Sequence, residues 1–301
     1  MNFETCMLIK KRISIFYFLK LIVWDAAAIL CYAIGVGILD HLSFFSNITI
    51  PFALSALVGT LLSLLLAFRT SQSYERWWEA RVVWGAIVND SRTLIRQLQQ
   101  FLPADEQKQY IIRSFAERQA IWCYALANSL RKLKMTDRVE DYCLKHGIAG
   151  ENIPNLLLTR HAAELSAITT TYALDPNRQV QLDSTLQRLT DAMGRCERIK
   201  NTVFPRSYSL MVHFLIYVLM TILPFGLDDN NVFVEIFLVT LIPVLFIAIE
   251  QTSILMQDPF ENKPTDTPMT SLSATIERNL SEMTGQEMPP ETVAGGSYYV
   301  M

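Results

Sequence analysis

Ile48-Thr49-Ile50-Pro51-Phe52-Ala53-Leu54-Ser55-Ala56-Leu57-Val58-Gly59-Thr60-Leu61-Leu62-Ser63-Leu64-Leu65-Leu66-Ala67-Phe68 contains no charged side chain. A helix rises about 1.5 Å per residue, so ~20 residues cross a hydrocarbon core ~30 Å thick. This stretch meets that length; a helix buried in a large soluble protein is seldom so long and so free of charge. It sits in a window, from Lys20 to Arg69, that holds no lysine or arginine between its ends. A second such window runs from Arg206 to Lys263, and all 26 basic residues lie outside the two. Further apolar runs cover 21–39, 208–227 and 232–249. The pattern predicts an all-α integral membrane protein with four transmembrane helices in two hairpins.

The basic residues orient it. Lys10, Lys11, Arg12 and Lys20 precede the first hairpin, Arg69, Arg76 and Arg81 follow it, and Arg195, Arg198, Lys200 and Arg206 precede the second. The connecting turns carry only Asp40, His41, Asp228 and Asp229. Positive charge stays on the cytoplasmic side, so both termini and the middle of the chain are expected in the cytoplasm, with the hairpins in the cell (inner) membrane. Lys20 and Asp25 interrupt the first apolar stretch, which makes a poor cleavable signal. The expected organisation is an interfacial segment at 1–20, hairpin one at 21–68, a cytoplasmic helical domain at 69–206, hairpin two at 207–250 and a cytoplasmic segment at 251–301. Disorder is expected after Met288.

Within the middle domain, Pro103-Ala104-Asp105-Glu106 reads as a helix stop followed by a start with acids in its first turn. Helices are expected over about 72–101, 105–132 and 155–171. A loop is expected at 147–154. Asp175-Pro176-Asn177 opens a last helix running to about Asn201, and Pro205 marks the break before the third span. No alternating pattern of useful length argues for strands.

Chemistry is sparse. Lys+Arg 26 against Asp+Glu 29 leaves a net charge of −3, so no basic field argues for nucleic acid. Cys6, Cys31, Cys123, Cys143 and Cys196 are scattered, with no zinc or disulfide spacing. There is no nucleophile elbow, phosphate loop or HExxH motif. His41, His146, His161 and His213 lack metal spacing. No catalytic residue, metal site or cofactor is expected. Asp25, His213 and Glu235 are the ionisable residues inside the apolar runs, where charge usually marks function, but all three lie near the ends of their spans.

The second span carries two rows. Ser55, Gly59, Ser63 and Ala67 recur every four residues, a spacing that lets another helix approach closely in lipid. Thr60, Leu64 and Phe68 form a second row about 100° round the helix. Both rows can simply pack or face lipid. Alternatively the second row lines a pore, which four helices of one subunit are too few to enclose, so that several copies of the span would surround a symmetry axis.

The continuation Phe68-Arg69-Thr70-Ser71-Gln72-Ser73-Tyr74-Glu75-Arg76-Trp77-Trp78-Glu79-Ala80-Arg81, with Trp84-Gly85, resembles the bestrophin family of pentameric ion channels. So do Cys196-Glu197-Arg198-Ile199-Lys200-Asn201-Thr202 with Pro205 and Tyr208, Leu223-Pro224-Phe225, and Asp258-Pro259-Phe260 with Asp266, Pro268 and Thr275-Ile276-Glu277-Arg278-Asn279-Leu280. The resemblance spans 50–282, with the motifs in the family's order. It implies a homopentamer in membrane lipid that passes small ions passively. It also implies a narrow apolar neck, carried onto Thr60, Leu64 and Phe68. Such a ring excludes water, so ions cross when it widens or wets. The family is usually apolar where this chain has Thr60, so a shorter or wetter neck is expected.

A second constriction of the family falls near Asn177. Some members bind calcium through an acidic run after the Pro-Phe pair. Here the run is Glu261-Asn262-Lys263-Pro264-Thr265-Asp266, preceded by Ile254-Leu255-Met256-Gln257. Calcium prefers six to eight oxygens and dense negative charge, so no calcium gating is expected through this loop. The family contains anion- and cation-conducting members; Asp228 and Asp229 lean toward cations only if they face the pore. A membrane-anchored scaffold without conduction, or a transporter, remains the alternative. A transporter would need broken helices and a site at mid-membrane.

Overall fold

The computed structural model describes residues 15–41, 50–202, 204–227 and 232–289. Among them every regular element is helical: α1 Ile15–His41, α2 Phe52–Phe101, α3 Lys108–Leu130, α4 Asp137–Lys145, α5 Ile153–Tyr172, α6 Pro176–Asn201, α7 Arg206–Ile222, α8 Val232–Gln257 and α9 Met269–Thr284. The chain divides into two compact units. An apolar unit takes Arg12–Arg76 and Val203–Gln257; a polar unit includes Trp77–Thr202 and Asp258–Met301.

In the apolar unit, Lys20–Leu39, α2 and α8 are long and apolar enough to cross a membrane, and the apolar part of α7, Ser207–Ile222, is shorter. The sequence gives the reason. Pro205 stands at the N-cap of α7, and Pro224 opens a 3-10 turn, Pro224–Gly226, that ends it. That turn is pressed against the start of α2. Ile50 N–H donates to Phe225 O at 3.0 Å, and a side chain at Gly226 would lie 3.2 Å from the Phe52 backbone, so only glycine fits without a shift. Leu62 and Leu66 of α2 pack on Val212, Ile216 and Leu219 of α7. Ala33 of α1 meets Leu223 and Val239, and Gly37 lets α1 approach Ile236 of α8. The interfacial segment read at the N-terminus and the turn at Asp228 and Asp229 fall outside the described residues, except for 15–20 at the start of α1. The disorder expected after Met288 also falls outside them, except at residue 289.

The polar unit has its own core, in which Trp84, Phe115, Trp122, Leu157, Leu189 and Phe260 are buried together. Helix α3 is its centre and is buried on nearly every side from Phe115 to Leu130. Local chemistry sets the helix ends. Asp175 caps α6, accepting from Asn177 N–H at 2.9 Å, with Pro176 in the first turn. Asn152 caps α5 in the same way. Gly285 ends α9 at φ +63°, a left-handed conformation that glycine adopts without strain.

Three readings of the helices outside the apolar runs change. No new helix starts near 72, because α2 is unbroken for 50 residues until Pro103. Helix α3 begins at Lys108 rather than 105: the Asp105 carboxylate turns back to accept from Glu106 N–H at 2.6 Å and from the Tyr172 hydroxyl at 2.9 Å, so the acids precede the first turn. Two further helices form, α4 and α9. The second buries Met269, Ser273, Ile276 and Leu280, spaced three and four apart, against the core.

Candidate functional site

Helix α2 has two faces within the apolar unit. One buries Ser55, Leu62, Leu66, Arg69 and Ser73. The other exposes the expected neck row, with Leu64 64% and Phe68 65% accessible, together with Leu57 and Leu61. Thr60 is exposed too. Its hydroxyl donates to Ala56 O one turn back at 2.8 Å, so its only hydrogen is used by its own helix and the surface it presents is less polar than the residue name implies. Single subunits bury their apolar side chains where they can; a charge-free helix that leaves such a row uncovered needs lipid, another copy or a pore beside it.

The small-residue row is divided. Ser55 is buried and donates to Ile222 O at 3.5 Å. Gly59 has no neighbour within 4 Å of a side chain built on it. Ser63, Ala67, Thr70 and Ser71 line an open apolar groove of about 510 Å³ with Phe246 and Ile249 of α8.

The first charge after the expected neck row is inside the protein. Arg69 and Glu250 are 2% and 1% exposed, with Nη1 donating to Oε1 at 2.6 Å. The Arg69 guanidinium also lies 5.5 Å from the centre of the Phe204 ring. The same Glu250 oxygen is 3.0 Å from His213 Nδ1. Two further rungs follow along α2 and α8: the Ser73 and Ser253 hydroxyls at 3.1 Å, and Arg76 Nε donating to Gln257 O at 3.0 Å. Glu250 is the residue that inspection of the apolar runs passed over. Its signal was available: Arg69 and Glu250 are the charges that directly follow the apolar runs 48–68 and 232–249, and such charges seek each other.

The motif residues of the polar unit hold one another. Trp77 Nε1 donates to Thr265 O at 2.7 Å, and the Arg81 guanidinium stacks 4.3 Å from a Trp77 ring centre. Trp78 lies 6.4 Å from Trp77, ring centre to ring centre. Arg198 pairs with Glu79 at 2.7 Å. Glu197 is half-buried. Lys200 donates to Asp258 at 2.7 Å, and the other Asp258 oxygen accepts from Phe260 N–H at 3.2 Å. The Pro259 carbonyl accepts from Thr267 N–H. Asn177 lies exposed in the first turn of α6.

The loop 261–266 is poorly made for calcium. One Asp266 oxygen accepts from the N–H groups of Glu261 at 2.7 Å and Lys263 at 3.0 Å, so positive dipoles stand where a cation would have to be. The Lys263 ammonium pairs with Glu261. Burial pushes the Asp266 carboxyl up to about 6. Among the described residues no group of three or more His, Cys, Asp or Glu could hold a metal. A further polar cluster joins Arg118 to Tyr142, Ser114 and Glu164. His161 packs 5.0 Å from the Phe115 ring and is driven well below its ordinary range by burial and then by Arg118. This is a core network that orders α3, α4 and α5.

Comparison with known proteins places this geometry in a family. Residues 10–282 match the family model described as bacterial/fungal bestrophin protein. The voltage-dependent anion channel-forming protein mll4386 of Mesorhizobium japonicum is 31% identical over 260 residues, covering 84% of this chain and 80% of that one. The voltage-dependent anion channel-forming protein YneE of Escherichia coli K12 is 25% identical over 277 residues, covering 90% of each. The crystal structure of a bacterial bestrophin homologue from Klebsiella pneumoniae superposes with a TM-score of 0.81 at 27% identity, covering 88% of this chain and 99% of that one.

Proposed function

We propose, from the premise that this chain belongs to the bacterial and fungal bestrophin family, that copies of it assemble around an axis and pass small monovalent ions passively through a neck lined by Thr60, Leu64 and Phe68. Family and relatives support an ion channel in a membrane. The finer reading is carried by one observation: α2 packs one face inside its subunit and leaves Leu64 and Phe68 uncovered on the other. A ring of such side chains repels water, and its width then decides whether ions pass. A pentamer is the assembly the resemblance implies. Both termini and the polar unit stand in the cytoplasm on this reading, since the basic residues flank the apolar runs on that side. The second constriction near Asn177 belongs to the same proposal.

The relatives' names make chloride the first ion to test. Purified protein in planar bilayers, with a salt gradient, gives the reversal potential and so the sign of the permeant ion. Leu64→Ala and Phe68→Ala are expected to raise the current by about tenfold, equivalent to about 1.4 kcal/mol off the barrier. Unchanged current in both variants removes these residues from the gate. A monomer in detergent, with no conductance, would favour a scaffold.

A further inference from the structure

Directly behind the uncovered row stands a charge cluster that conduction itself does not use. Arg69 follows Phe68 in the chain, and its side chain turns inward to Glu250. Glu250 Oε1 serves two donors, Arg69 Nη1 at 2.6 Å and His213 Nδ1 at 3.0 Å. His213 Nδ1 is also 3.1 Å from Ser209 O. Two acceptors face that nitrogen, so it carries a hydrogen whether the ring is neutral or charged. The ring is half-exposed, while the Arg69 and Glu250 side chains are each 1% accessible. Among the described residues, Arg69 Nε and Glu250 Oε2 are buried with no hydrogen-bond partner, so the Nη1–Oε1 contact is the direct hydrogen bond that joins the pair. Among the described residues, Asp25 of α1 is a further charged group within electrostatic reach of Glu250. On α7 itself, the Tyr208 hydroxyl is engaged with Leu65 O at 2.6 Å.

The balance of charge is therefore narrow. With a neutral imidazole, one guanidinium and one carboxylate cancel. A second proton on the imidazole adds a cation that competes with Arg69 for the same oxygen, in a setting that screens charge poorly. Imidazole is the side chain whose ordinary charge change falls between about pH 5 and 8.

We propose that His213 and Glu250 are positioning residues of the neck, acting through Arg69: Glu250 anchors α2 one residue past Phe68, and charge on His213 loosens that anchor and opens the neck. The inference rests on the neck reading given above. Acidification then raises conduction.

Recordings of the full-length protein in bilayers of one lipid composition, at about pH 8 and about pH 5.5, test it. The wild type should gain open probability by about tenfold on acidification, within the usual range of coupling between sites. His213→Gln, which alters a half-exposed ring and leaves the buried pair whole, should show the same low open probability at both values. Glu250→Gln should be open at both, and Glu250→Asp should restore a pH response. A wild type indifferent to pH, or a His213→Gln channel with the wild-type profile, overturns the proposal. Phe68→Ala recorded beside them separates the two readings. If it raises current while His213→Gln changes nothing, the neck stands and its coupling to His213 falls; if it changes nothing, both fall.

Discussion

Leu64 and Leu66 are two residues apart on one helix and do opposite things. Leu66 is 1% exposed and packs on α7, whereas Leu64 is 64% exposed. The contrast runs through the molecule. The polar unit puts the large apolar side chains Trp84, Phe115, Trp122 and Phe260 inside and most of its charges outside, with Arg118 and Asp266 among the buried exceptions. The apolar unit does the reverse in part, holding Arg69 and Glu250 inside and showing Phe52, Leu57, Leu61, Leu64 and Phe68 outward. In water the first arrangement follows from the hydrophobic effect. In lipid the drive between apolar side chains disappears, and polar contacts and close packing specify how helices meet.

Breaking the buried pair is the most damaging way to test that difference. Glu250→Ala leaves a guanidinium buried and unpaired and should cost about 3–5 kcal/mol. Glu79→Ala, which removes the Arg198 pair from a surface where Arg198 is 63% exposed, should cost under about 1 kcal/mol. Thermal unfolding in one detergent measures both, and equal losses would erase the distinction. Trp122→Ala, at the centre of the polar core, belongs with the first group at about 3–5 kcal/mol.

Leu66→Ala and Leu64→Ala sharpen the comparison. The buried residue should lose about 2–5 kcal/mol of stability. Its exposed neighbour should lose little from its own subunit, and its effect should appear as current instead. A large drop in folding stability for Leu64→Ala in isolated subunits would place that side chain in the core.

Asp266 gives a smaller effect than the buried residues above and a sign that is easy to check. Burial lifts its carboxyl from 3.8 to about 6, opposed by the N–H groups of Lys263 and Glu261. A group whose folded value is raised contributes stability fully present below its unfolded value and lost as pH rises through the folded one. The loop should thus be firmest near pH 4 and weaken up to about pH 6, by on the order of 1–2 kcal/mol after solvent screening. Asp266→Asn, which keeps an acceptor for both N–H groups without the charge, should flatten that part of the profile in a melting series.

How much of this the sequence carried follows from range. Charge-free windows report directly on helices in lipid, so α1, α2 and α8 were legible, and the four-residue repeat placed Thr60, Leu64 and Phe68 on one line. Pro176 and Asp175 announced the start of α6 because a cap is a local event. Of the Arg69–Glu250 pair the sequence showed two charges that directly follow apolar runs; that they meet, 181 positions apart, depends on how the helices are brought together. Helix α9 was missed, although its three- and four-residue spacing was there, in a segment crowded by Pro259, Pro264 and Pro268 before it and Pro289 and Pro290 after it. Asp105 misled because an acid beside a helix start can serve either the helix or its own turn.

The rungs at Arg69–Glu250, Ser73–Ser253 and Arg76–Gln257 advance together along two helices. Deleting any one residue between Arg69 and Arg76 would swing every later side chain by about 100° and misalign the remaining teeth at a stroke. Here the gene should accept substitutions far more readily than insertions or deletions, and a frame shift of one position on α2 should be repairable only by a matching shift on α8.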